Sequence, residues 1–207
     1  MDKATKKMTV LDQITASDKV RKKIIDTASV LYAKKGFNAT TIEEIAEQAG
    51  ISLPVTYHYV NKKSEIMSMI MEDVLKVFQE KLKEQIKKDI KDPRRKLEIA
   101  VDIYFRIVDE QNEKVLLIYQ KSNSMDKASK SKIMRLEVEL SNLFGKIITE
   151  GIEKGIFRET DVDLMAYNIN MMAHMWVLKN WHFKKRLTID QYIKLQMHNI
   201  ESSLTNS

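Results

Sequence analysis

Residues 40–60 read TTIEEIAEQAGISLPVTYHYV, and this stretch decides the fold. Thr41 followed three residues later by Glu44 is a capping-box pattern, with Thr41 as N-cap. Ile42, Ile45, Ala46 and Ala49 then mark one face of a short helix, and Gly50 stops it. Ser52 is a good N-cap for another short helix, and Pro54 is tolerated in its first turn. That helix can run only to about Val60, because Asn61-Lys62-Lys63-Ser64 reads as a turn and a new cap. Two short helices separated only by Gly50-Ile51-Ser52 match helix-turn-helix geometry. Ala46 and Ala49 permit close packing, Gly50 permits the sharp turn, and Ile51 plugs the angle between the helices.

Upstream, Val20, Ile24, Ala28 and Leu31, joined by Ile25 and Tyr32, give an apolar stripe at helical spacing. Lys34-Lys35-Gly36 ends this helix, with cations at the negative end of the dipole and a glycine able to turn left-handed. Phe37 is expected to fold back onto it. Residues 1–17 are polar and aperiodic and read as a flexible arm, so the sequence predicts a DNA-binding domain over 18–63. Downstream, Ile66, Ile70, Val74 and Phe78 continue toward Ile90 as a long linking helix. Asp92-Pro93 opens another through Val108. Further helices are expected over about 113–123, 128–154, 162–182 and 189–204, the last with a Thr188/Gln191 capping box. The fold expected is all-α: a three-helix helix-turn-helix domain, then a larger helical ligand-binding and dimerisation domain over 64–207.

Composition agrees. With 5 Gly and 2 Pro in 207 residues, hairpins lack their turn formers. The 43% hydrophobic content suffices for a core. The absence of cysteine removes disulfides, thiolate metal sites and cysteine nucleophiles. No apolar run approaches the roughly 20 residues of a membrane span, and the N-terminus lacks a signal peptide's apolar stretch. A cytoplasmic protein without a membrane partner is expected. The net charge of +6 suits a polyanion mildly. Residues 1–65 hold 11 Lys/Arg against 8 Asp/Glu, a count that many proteins unrelated to nucleic acid share.

The last helix of a helix-turn-helix enters the major groove. It would present Leu53, Pro54, Val55, Tyr57, His58 and Tyr59. Tyr and His reach phosphates, while Val and Pro carbons suit thymine methyls. It offers no Arg, Lys, Asn or Gln for bidentate base contacts, so specificity leans on apolar contact and DNA shape.

Ile24, Ala28, Leu31, Gly36-Phe37, Thr40-Thr41, Ile45-Ala46, Ala49-Gly50-Ile51-Ser52, Tyr57-His58-Tyr59 and Lys63 together resemble the DNA-binding signature of the TetR family. The likeness spans about 45 residues in one register. It implies a homodimeric repressor on a palindromic operator, released by a small-molecule effector. It further implies that Thr41 contacts phosphate, that Ser52, Leu53, Pro54, Val55, Tyr57, His58 and Tyr59 belong to the DNA face, and that Lys63 holds a backbone phosphate. Lys22 and Lys23 are weighed between phosphate contact and a solvated face. Two departures stand out: Val55 lacks the hydroxyl of the usual threonine, and Thr56 occupies a position usually filled by a buried Leu.

In the C-terminal part, Tyr104-Phe105, Ile118-Tyr119, Leu143-Phe144 and Asn168 to Trp181 mix large apolar side chains with a few polar tips. Small-molecule pockets are built this way, and so is ordinary bundle core. The candidate effector contacts are Tyr104, Ile118, Tyr119, Phe144, Asn170, Met171, His174 and Met175. The segment from Ala173 to Trp181 resembles the penultimate helix of members that answer to acyl-coenzyme A thioesters. That likeness implies an acyl-CoA-like effector, with Arg106, Arg135 or Lys179 at its phosphates. The same family likeness puts Leu164, Tyr167, Leu178, Tyr192, Leu195 and Gln196 at the dimer interface.

His58, His174, His182 and His198 lack i, i+4 partners and an HExxH frame, so no metal site is read. No nucleophile-elbow, phosphate-loop or dinucleotide motif appears, hence no enzyme and no cofactor. Asp161 and Asp163 suit a helix start rather than an acid/base pair. Two other readings stay open: a sequence-tolerant DNA-organising protein without ligand, and a non-enzymatic helical interaction protein.

Overall fold

A computed structural model describes residues 10–86, 90–121 and 125–205, with the side chains of 10–16 left aside. These residues form α1 (Val10–Lys35), α2 (Ile42–Ala49), α3 (Leu53–Tyr59), α4 (Lys63–Gln85), α5 (Pro93–Glu110), α6 (Asn112–Lys121), α7 (Lys127–Glu153), α8 (Val162–Leu178), α9 (Asn180–Phe183) and α10 (Ile189–Leu204). The described residues contain no strand. The chain divides into two compact units, Met1–Met69 and Ile70–Ser207.

In the first unit, α1 begins at Val10, so residues 10–17 are helix rather than arm. Neither Gly nor Pro interrupts Val10 to Lys35, and the polar residues of its first turns break the apolar periodicity of the sequence without opposing helix formation. The expected arm over 1–9 lies outside the described residues. Gly36, at φ 88°, ends α1 by donating its amide to the Tyr32 carbonyl at 3.0 Å. Phe37 folds back, its ring 5.1 Å from that of Tyr32. Thr40 is buried and its hydroxyl donates to the Gly36 carbonyl at 2.9 Å. Ile24, Ile25, Ala28, Ile45, Ala46, Val60, Ile66 and Met67 make the core.

In the second unit, α5 packs on α7, α8 and α10, and α7 on α8. Phe78, Tyr104 and Phe144 form its aromatic centre, with ring centroids 5.2 to 5.6 Å apart. Caps sit where carboxylates and Thr188 stand in the sequence. Asp92, Asp126 and Asp161 accept first-turn amides of α5, α7 and α8, and Thr188/Gln191 forms a complete capping box on α10. Two helix ends differ from expectation. α4 stops at Gln85, short of Ile90, with residues 87–89 outside the described set. The helix expected over 162–182 breaks at Lys179, whose amide turns to the Met175 and Val177 carbonyls, and α9 follows as one short turn. Arg158 donates its amide and its Nε to the Leu204 and Ser203 carbonyls, satisfying acceptors that the end of α10 leaves open.

Helix α7 closes on its own return loop at Gly151. A Cβ placed there would lie 2.0 Å from the Phe157 ring. Gly151→Ala gains helix propensity of about 1 kcal/mol. Phe157 is buried and cannot move freely, so overpacking of roughly 1–3 kcal/mol outweighs that gain. Urea denaturation should show a lowered midpoint with an unchanged slope.

Candidate functional site

Gly50 adopts φ 62° and ψ 38°, its amide donating to the Glu47 carbonyl at 3.1 Å while that of Ile51 donates to Ala46 at 3.0 Å. This paired closure turns the chain sharply out of α2. Ser52 stands at the N-cap of α3 without a side-chain capping bond, and Pro54 lies in the first turn. Thr56 is buried, which answers the departure at that position: its hydroxyl donates to the Ser52 carbonyl at 3.2 Å, so a polar residue is tolerated where Leu would be expected.

With Thr56 inward, Leu53, Pro54, Val55, Tyr57 and His58 stand exposed on one apolar and aromatic face. Tyr59 is half-buried, its hydroxyl donating to Ser17 Oγ at 3.1 Å. Thr41 caps α2 by accepting the Glu44 amide at 3.2 Å. Its capping box is only half formed, because the Glu44 carboxylate pairs with Lys35. Lys63 turns inward: its Nζ donates to the Phe37 and Asn38 carbonyls at 2.8 and 3.0 Å and lies 4.9 Å from the Phe37 ring centroid. The ammonium therefore clasps the loop after α1, with one of its three donors left over. The Tyr57 hydroxyl donates to Glu43 Oε1 at 2.8 Å, a contact no sequence pattern indicated.

Inside the second unit, four of the eight candidate effector contacts are joined by hydrogen bonds, and a fifth, Met171, lies beside them. The Tyr104 hydroxyl donates to Asn170 Oδ1 at 2.6 Å and lies 2.8 Å from His174 Nε2. The Tyr119 hydroxyl lies 2.6 Å from His174 Nδ1 and 3.6 Å from the Met171 sulfur. Asn170 Nδ2 donates to Ser141 at 3.4 Å. Since Tyr104 gives its one proton to Asn170, its oxygen must accept from Nε2–H. In the neutral imidazole that burial favours, Nδ1 then accepts from Tyr119. Burial pushes its pKa down to about 4 and that of Tyr119 up to about 12, and raises Tyr104 well above its ordinary range. Burial also raises Glu137, whose charge acts on Tyr104 and Tyr119; neither Glu137 nor Ser141 was foreseen. Phe144 stacks edge-on against Tyr104. Ile118 is buried, and Met175 is half-buried against the core.

The three cations considered for phosphates are dispersed. Arg106 bridges Asp102 and Asp190, Arg135 donates to Ser131, and Lys179 is exposed beyond α8. Two clefts, of about 900 and 630 Å³, open elsewhere in this unit. The larger lies along α5 and α10 and is lined by charged residues including Arg106, Asp102 and Asp190. Neither is lined by Tyr104, Tyr119 or His174.

Of the six candidate interface residues, Leu164 is 59% exposed and Leu195 52%, while Tyr167 and Leu178 are half-buried. Gln196 is buried. Tyr192 needs correction: it is 1% exposed, packed against Trp176 and Phe183, and donates to the Met172 carbonyl at 2.7 Å. The family likeness groups it with Leu195, but α10 turns Tyr192 into its own chain's core and leaves Leu195 exposed. Among the described residues no cluster of His, Cys, Asp and Glu could hold a metal. No described helix is long and apolar enough to cross a membrane.

Residues 24–68 match the family described as bacterial regulatory proteins, tetR family, and residues 91–184 match a tetracyclin repressor-like C-terminal domain. The chain is 29% identical over 174 residues to the HTH-type transcriptional regulator HbdR of Aromatoleum sp. (strain CIB), covering 84% of this chain and 76% of that one. It is 27% identical over 164 residues to the repressor KstR2 of Rhodococcus jostii (strain RHA1), covering 78% and 79%. Among solved structures, the fatty acid degradation regulator FadR of Bacillus halodurans superposes with a TM-score of 0.74 at 21% identity, over 91% of this chain and 97% of that one.

The His174 chain sets a pH dependence. Unfolded, this imidazole titrates near 6.5; folded, near 4. Between these values the unfolded state binds the extra proton, so the stability contribution is complete above about 6.5 and falls away as pH drops toward 4. Thermal melts across that window should show a decline that His174→Gln flattens. Tyr104→Phe leaves a buried acceptor on Asn170 and a buried donor on His174, and should cost about 1–3 kcal/mol at neutral pH.

Proposed function

The chain belongs to the TetR family of bacterial regulatory proteins, and we propose on that premise that it is a ligand-responsive transcriptional repressor that binds a palindromic operator as a homodimer. The observation that carries the reading is the exposed face of α3, held at the end of a glycine turn and made of Leu53, Pro54, Val55, Tyr57 and His58. Side chains of this size and polarity contact thymine methyls and phosphates. Thr41 and the remaining donor of Lys63 would add backbone contacts at either side.

Dimerisation is supported by apolar residues on α8 and α10 that the chain leaves uncovered, above all Leu164, Met171 and Leu195. Two recognition helices related by a twofold axis would enter major grooves roughly 34–36 Å apart. We assign effector recognition to the buried chain from Tyr119 through His174 and Tyr104 to Asn170. An apolar core would serve stability alone without the cost of burying four polar groups, which must each find a partner. The effector class is a hydrophobic molecule or acyl-CoA thioester. Relatives named as a fatty acid metabolism regulator and a ketosteroid transcriptional regulator support an apolar body. Release from DNA follows if the effector binds the DNA-incompetent state more tightly, and in proportion to that difference.

Footprinting on the protein's own promoter region at low salt should protect one pseudo-palindrome; protection of none would exclude the repressor reading. Tyr57→Ala should weaken operator binding by roughly tenfold or more with the fold intact. Leu164→Glu with Leu195→Glu should shift sedimentation from dimer to monomer. A saturating acyl-CoA or apolar effector at 100 times its Kd should stabilise the protein by about 2.7 kcal/mol in a thermal-shift assay, and Tyr119→Phe should reduce that shift.

A further inference from the structure

The recognition helix lacks every side chain that usually reads bases by paired hydrogen bonds, yet its exposed face is not without a strong acceptor. That acceptor comes from the preceding helix. Glu43, in the first turn of α2, is exposed, and one of its carboxylate oxygens accepts the Tyr57 hydroxyl across 2.8 Å. Glu44, beside it, faces away to Lys35. Hydrogen bonds from its own backbone, from Tyr57 and from Thr41 lower the pKa of Glu43, so the group is an anion at neutral pH.

An anion on a face that approaches phosphates weakens binding to every duplex. Once in the groove it loses water, and that loss is offset only by a hydrogen-bond donor. The major groove supplies two kinds: the N4 amino group of cytosine and the N6 amino group of adenine. Beside N6, adenine presents the N7 acceptor, which repels a carboxylate. Beside N4, cytosine presents only C5–H. We propose that Glu43, oriented by Tyr57, is a base-selecting residue that accepts from a cytosine amino group in each operator half-site and penalises DNA lacking one there. Specificity then comes partly from α2, and partly by exclusion. Tyr57 serves as a positioning residue for the carboxylate.

This inference rests on the chain being an operator-binding protein, and one experiment separates the two. Duplexes with randomised positions are selected against full-length wild type, Glu43→Gln and Tyr57→Phe, each checked for fold by circular dichroism. Affinity for unselected duplex is measured alongside across a salt series. Wild type should enrich one cytosine per half-site, preferred about ten- to a hundredfold over the other bases. In Glu43→Gln that preference should move to adenine, whose N6 and N7 match an amide, and binding to unselected DNA should tighten because a negative charge is gone. Tyr57→Phe should relax selection at the same base pair. If wild type enriches no sequence, the operator-binding premise itself fails. If wild type enriches a site and Glu43→Gln enriches the same bases at every position, the base-selecting role is overturned. Loss of all DNA binding by folded Glu43→Gln overturns it too, since removing the charge should strengthen non-specific association.

Discussion

The left-handed turn at Gly50 is the constraint on which the exposed face of the first unit depends. At φ 62° a side chain would strain the backbone, although open space surrounds the position. The conformation lets the amides of Gly50 and Ile51 close the end of α2 while α3 departs at once. Because that departure is sharp, Thr56 reaches inward, Tyr57 outward, and Glu43 on α2 comes within a hydrogen bond of Tyr57 on α3. A longer or looser connection would leave the two helices with separate surfaces rather than one shared face.

The second unit is governed by a different requirement, that buried polar groups be matched. Its aromatic centre of Phe78, Tyr104 and Phe144 excludes water, which makes each hydrogen bond from Tyr104 valuable and each broken one expensive. The Tyr119–His174–Tyr104–Asn170 chain meets the requirement with neutral groups in one donor direction, and burial keeps the imidazole neutral through most of the pH range. A second arrangement joins the end of α5 to α8 and the turn after α9. Asp109 accepts from Trp176 Nε1 at 2.7 Å and lies 3.1 Å from Lys184 Nζ, while Lys184 sits over the Trp176 ring. Lys184, although exposed, thus ties the turn after α9 to α5 and α8.

Where sequence and structure part company, the reason is local in each case. Residues 10–17 look aperiodic because polar residues interrupt any apolar stripe, yet they hold no Gly or Pro to oppose helix formation. The stretch 162–182 looks continuous because Lys179 carries no helix-breaking signature; beyond its turn, Phe183 of α9 packs against Tyr192. Tyr192 and Leu195 share a stripe by periodicity and separate by burial, since a 3.6-residue period fixes relative angles on a helix but not which side meets the core. Lys63 reads as a phosphate contact by position, and two of its three donors go to carbonyls at the end of the Phe37 turn, leaving one over.

The sequence by itself determined the helical class, most helix boundaries, the helix-turn-helix and the family, because caps, glycine stops and periodic stripes act over a few residues and leave local marks. It also gathered Tyr104, Tyr119, Asn170 and His174 into one candidate list by their polar tips in apolar surroundings. Tertiary structure alone decided that these four form one directed hydrogen-bond chain, that Glu137 and Ser141 lie within reach of it, and that Glu43 belongs to the face of α3. Such partnerships join residues from 14 to 70 positions apart. They depend on side-chain direction and on burial, which no run of neighbouring residues encodes.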